Sequence, residues 1–196
     1  MRKVVFILAI LMIAACASAA VRIIVEEDKG LAAIKYETDG EKVRAFGLDI
    51  KLSAGTFSAI SGYLKGESTI TEPNHLGYGI FPASFSQFIS VNAQTGEVTT
   101  WDVNDYNPLA DPCDPGSLGG LGTNGVTIEL GALYYPAADN SPNAPGNSGL
   151  LCKLAISQSA KVTVAENVVR GGIVLTNPTV KPTMDWTKAT NIQINK

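Results

Sequence analysis

A chain of 196 residues, 45% hydrophobic and 17% charged, suits one domain able to bury a sizeable core. Its charged share is below the usual quarter or so, and 19 Gly and 10 Pro point to many turns rather than to a helical or disordered chain. The net charge is −3 and no basic cluster occurs, which argues against a nucleic-acid or anionic-membrane partner.

The first 19 residues read as a targeting segment outside the fold. Arg2 and Lys3 precede an apolar run over residues 4–14, and small residues follow. That run is too short to span a bilayer as a mature helix and fits a secretory signal. Cleavage after Ala17-Ser18-Ala19, or after Ala20, matches the small-x-small pattern. Ile13-Ala14-Ala15-Cys16 supplies the alternative, a lipobox in which Cys16 becomes the acylated first residue of a lipid-anchored protein. Export to the cell surface, periplasm or medium is expected on either route. Losing residues 1–19 removes two of 15 basic residues, leaving 13 against 18 acidic ones, or −5. No second long apolar run occurs, so no transmembrane span is expected in the mature chain.

Residues 21–27 and 31–38 read as short strands joined by Asp28-Lys29-Gly30, and the second ends at the turn signal Asp39-Gly40. Residues 43–52 alternate most clearly, with Phe46, Leu48, Ile50 and Leu52 on one face and Ala45, Gly47, Asp49 and Lys51 on the other. The pattern continues through Phe57, Ile60 and Tyr63. Residues 67–93 are irregular, with aromatic residues Tyr78, Phe81, Phe85 and Phe88 and a helical turn or two over 83–88. Strands resume over 88–91 and 97–103 around Gln94-Thr95-Gly96.

A loop rich in Asp, Asn, Pro and Gly fills residues 104–125, with Cys113 at its middle. Two alternating segments follow within residues 122–157. They carry Val126, Ile128 and Leu130, then Leu150, Cys152, Leu154 and Ile156, and are expected to form a strand pair around a Pro/Asn/Gly turn. Residues 161–164 and 172–176 supply the last strands, giving a single domain over 20–180, and 181–196 reads as a polar C-terminal tail. About nine short strands with turn signals between them predict an all-β sandwich. A jelly roll is the alternative topology, because strand order cannot be read from spacing.

With Cys16 cleaved away or acylated, Cys113 and Cys152 remain, and in an exported chain they are expected to form a disulfide. Such a staple would add about 3–4 kcal/mol in the chain-entropy model.

Catalytic signatures are weak. Gly146-Asn147-Ser148-Gly149 resembles the nucleophile loop of trypsin-like proteases, yet the sole histidine, His75, sits in a different setting and supplies no base beside it. A glycine-rich turn before a strand explains the motif, and no enzyme is expected. No cofactor is implied, apart from a candidate structural calcium site on Asp102, Asp105 and Asp111, which belong to a loop dense in oxygen ligands but without EF-hand spacing. Trp101, Tyr106 and Tyr135 are candidates for stacking on sugar rings, together with Tyr134 and Trp186.

Two segments carry a family resemblance. Val43-Arg44-Ala45-Phe46-Gly47-Leu48-Asp49-Ile50 and Gly149-Leu150-Leu151-Cys152-Lys153-Leu154-Ala155-Ile156 resemble strands of the cohesin and cellulose-binding-module superfamily of immunoglobulin-like sandwiches. Lys161-Val162-Thr163-Val164 and Gly171-Gly172-Ile173-Val174-Leu175 follow in the order that family has. The resemblance implies a secreted carbohydrate-binding or partner-docking module without catalysis, its ligand a polysaccharide or an extracellular protein. A structural envelope or matrix protein without a small ligand is the alternative.

Overall fold

The computed structural model describes residues 19–63, 89–91, 98–101, 107–131 and 146–196. Strand β1 (Ala20–Asp28) turns back into β2 (Leu31–Asp39) through Lys29 and Gly30, both at positive φ (53° and 78°). That tight two-residue loop matches the twist of a hairpin, and glycine at its second position adopts the left-handed backbone without strain. The next strands are β3 (Val43–Leu52), β4 (Phe57–Ser61), β5 (Ile89–Val91), β6 (Val98–Trp101) and β7 (Gly125–Gly131). They are followed by β8 (Ser148–Ile156), β9 (Ala160–Glu166), β10 (Ile173–Leu175), β11 (Thr183–Asp185) and β12 (Ile192–Ile194). A single 3-10 turn, Val168–Arg170, links β9 to β10.

The strands form two open sheets, and the fold is an all-β sandwich. Sheet A runs β11-β1-β2-β8-β4, antiparallel except where β11 lies parallel to β1. Sheet B is centred on β3. Strand β7 pairs along one edge of β3, while β10 and β9 share the other edge and β12 pairs beyond β9. Strands β5 and β6 pair with each other as a separate ribbon.

Alternation decides what enters the core. Val21, Ile23 and Val25 of β1, Ala32, Ile34 and Tyr36 of β2, and Cys152, Leu154 and Ile156 of β8 meet Phe46, Leu48, Ile50, Val126, Ile128, Leu130, Val162 and Val164 of sheet B. Each such aliphatic side chain contributes about 1.5–3 kcal/mol relative to an exposed one. Tyr36 and Phe46 touch across the sandwich as a tilted pair with ring centroids 4.9 Å apart.

Four expectations are corrected. Residues 181–196 are not a polar tail: β11 extends sheet A, β12 extends sheet B, and Ala189 and Ile194 are fully buried. Those strands are only three residues each, too short for alternation to reveal. The described residues alone hold twelve strands where the pattern predicts about nine. Strands β7 and β8 do not pair, since β7 lies against β3 in sheet B and β8 sits between β2 and β4 in sheet A. Finally, Cys113 and Cys152 are both free thiols. Cys152 points into the core from sheet A, whereas Cys113 is exposed in the loop along the far side of sheet B. Burial pushes the Cys152 thiol up to about 12, so it behaves as a small apolar core residue.

A bulge in β8 adds a further departure. Ile34 pairs with Cys152 but Lys35 pairs with Leu150, so Leu151 is the extra residue. Beyond the bulge the inward face passes to Leu151 and Gly149, and Leu150 turns outward, half-buried. Glycine suits the inward position at 149, because a Cβ there would come within 3.1 Å of the Tyr36 ring.

Candidate functional site

The two outer faces of the sandwich are built differently. On sheet B the outward positions of β3 and β7 are Gly47, Asp49, Thr127 and Glu129, and they are covered. The chain from residue 108 runs beside β7, with Ala110 N–H donating to Thr127 O (2.9 Å) and Glu129 N–H to Pro108 O (2.8 Å). It then crosses over the sheet. Asn167 Nδ2 donates to both Asp49 Oδ1 (2.8 Å) and Gly116 O (2.7 Å), and Thr127 Oγ1 donates to the same Asp49 oxygen (2.6 Å) while accepting from Leu118 N–H (2.9 Å).

Arg170 closes this roof. Its Nε and one terminal nitrogen reach the two oxygens of Glu129 (2.5 and 3.0 Å), and that terminal nitrogen also reaches Asp114 Oδ2 (3.3 Å). Glu129 is 4% exposed at its side chain, and its hydrogen bond holds the Arg170 guanidinium above its ordinary pKa. Gly47 permits the crossing, because a Cβ there would lie 2.8 Å from Arg170 O and 3.2 Å from Gly172 N. Thr127, Glu129 and Asn167 are the buried polar residues of the described fold. They meet the requirement that buried polar groups find partners, and they hold a loop in place rather than face a ligand.

Among the described residues no segment covers the outer face of sheet A. Arg22 bridges Glu37 (3.1 Å) and Asp185 (2.7 Å), Lys35 pairs with Glu26, and Lys153 pairs with Asp28. Thr187, through its hydroxyl, together with Arg22, holds the Asp185 carboxyl well below the usual carboxylate range; Lys153 lowers that of Asp28. Between the charges, Ile24, Glu26, Lys35, Glu37, Ser148 and Leu150 border a shallow groove of about 320 Å³ at the β8 bulge. Ile24 and Leu150 give it apolar surface, Lys35 and Ser148 supply donors, and Glu26 and Glu37 supply acceptors, so its lining is of mixed polarity with one more carboxylate than cations. Such a surface can hold an uncharged polar chain or a protein segment.

Few of the residues singled out by sequence fall among the described ones. Trp101 ends β6, opposite Ile89. Cys16, His75, Asp102, Asp105, Tyr106, Tyr134 and Tyr135 lie outside the described residues. Asp111 is exposed, and its Oδ1 accepts from Cys113 N–H (2.9 Å) in an Asx turn. Among the described residues no group of three or more His, Cys, Asp or Glu could hold a metal ion. Trp186 packs half-buried against the core. In the Gly146–Gly149 motif, Ser148 opens β8 opposite Glu37, and Tyr36 Oη donates to Gly146 O (3.0 Å), so the motif fixes the entry to a strand. Sequence reasoning missed Asn167 and Arg170, whose sole sequence signal is their place between a strand and a Gly-Gly pair.

No family model, curated protein or solved structure matches this chain.

Proposed function

We propose that the chain is an exported, non-catalytic binding module, an immunoglobulin-like sandwich of the cohesin and cellulose-binding-module kind. On this reading it holds an extracellular polysaccharide or a protein partner on the outer face of sheet A. One observation carries the reading: among the described residues that face keeps a groove of mixed polarity at the β8 bulge, whereas the opposite face is roofed by its own chain. The two segments that resemble the family, residues 43–50 and 149–156, lie in interior strands of the two sheets, which is compatible with a shared sandwich core.

The test is retention of the exported protein on insoluble polysaccharides, with Glu37→Ala and Leu150→Asp compared against the parent. Retention that these substitutions abolish supports a glycan module. Retention by neither parent nor variants favours the alternative, a structural envelope or matrix protein without a small ligand. That alternative has its own support, because the cations Arg22, Lys35 and Lys153 on the face already have carboxylate partners within it.

Anchoring through Cys16 belongs to the same reading. Ala19 is buried and its carbonyl accepts from Thr183 N–H (2.8 Å), so cleavage after Ala19 or after Ala20 would remove a residue of the fold, while acylation at Cys16 keeps it. Intact mass of the exported protein distinguishes the two N-termini.

A further inference from the structure

Among the described residues three large apolar side chains stand exposed, and two of them are adjacent: Val168 (74%) and Val169 (70%), on the 3-10 turn after β9. The turn is held rigidly. Asn167 Oδ1 accepts from Arg170 N–H (3.0 Å), Gly171 closes the turn at φ 93°, and Arg170 anchors it to Glu129 on the roofed side. The two valines therefore have no local way to bury themselves. Beside them runs a groove of about 370 Å³, bordered by Val168, Ile173, Pro178 and Val180, with Glu166 and Lys181 on its rim.

An exposed apolar knob adjoining a groove with apolar walls and a charged rim can be self-complementary under a two-fold axis placed between them, since each knob then meets the other copy's groove. The rim charges are of opposite sign, so the same axis can bring Lys181 of one copy toward Glu166 of the other. Strand addition at this edge is disfavoured, because the Ile173 N–H that would serve it donates to Glu166 Oε1 (3.0 Å). Side chains, not backbone ladders, must make the contact.

We propose that this patch joins two copies of the chain in a symmetric dimer, with Val168 and Val169 of each seated against the groove of the other. A contact made by two valines and one groove is small, so the dimer is expected to dissociate on dilution. This does not depend on what sheet A binds.

Sedimentation velocity of the exported protein across a dilution series tests it. The expected result is a mass near twice that of one chain at the concentrated end, falling to one chain on dilution. Val168→Asp and Val169→Asp should each hold the protein at the mass of one chain throughout. Lys181→Glu, an exposed position outside the core, should move dissociation to higher protein concentration and remains decisive should either valine variant unfold early. A parent that stays at one chain over the whole series overturns the proposal. So does a dimer that persists with Val168→Asp and Val169→Asp combined.

Discussion

The outer face of sheet B and the outer face of sheet A start from the same alternating sequence pattern and end in opposite states. Both place carboxylates and hydroxyl or amine groups outward. On sheet B, Glu129 and Asn167 are nearly sealed from water and must be fully paired, so each partner matters. On sheet A the side chains of Arg22, Lys35, Glu26 and Glu37 are 41–52% exposed, and water can replace any partner they lose. An ion pair thus takes its energetic meaning from what covers it, not from its distance.

This contrast can be broken most severely at Arg170. Arg170→Met strands the Glu129 carboxylate in a dry site and should cost about 3 kcal/mol or more, read as a lower urea midpoint with unchanged slope. Gly47→Ala puts a methyl against backbone at 2.8 Å, forcing the 167–172 segment outward; about 1–3 kcal/mol is expected, with increased exchange of the Asn167 and Gly172 amides. On the open face, Lys35→Ala removes a comparable-looking ion pair and should cost no more than about 1 kcal/mol, shrinking further in salt. A loss at Lys35 as large as that at Arg170 would contradict the distinction between the faces.

Acidification sharpens it from the other direction and has the smallest effect. Asp185 and Asp28 have folded-state pKa values below their unfolded ones, so their contribution is present above the ordinary carboxylate range near pH 4 and is lost as pH falls below it. Asp185→Asn should lower stability slightly at neutral pH, where the contribution is present, and leave acid stability unchanged, so that the variant's stability–pH curve has a flatter acid limb and meets the parent's at low pH.

Strands with strong alternation were legible residue by residue. Phe46, Leu48, Ile50 and Leu52 enter the core and Asp49 and Lys51 leave it, as period-two patterning dictates. The β8 bulge was not, because Leu150 and Leu151 are equally apolar and only the register with β2 decides which one faces inward. Strand β11 was illegible for a related reason: Thr-Met-Asp has no strand signature, and its place comes from the free edge of β1. The expected disulfide failed because compartment and cysteine count say nothing about which side of a sheet a loop takes. Of the open site, the charges on β1 and β2 could be read as outward-facing, but the groove depends on the bulge. The roof was invisible, since Thr127 and Glu129 alternate like any solvated face.

The chain enters and leaves the sandwich at opposite ends. Ala19 abuts Gly40 at one end, while Asn195 abuts Gly30 at the other, separated by the length of β1, nine residues or about 30 Å. Traction applied between these ends runs along the axis of β1. The hydrogen bonds joining β1 to β2 on one side and to β11 on the other are then loaded in shear, all at once, instead of being peeled one by one. The fold should therefore resist pulling best in that direction.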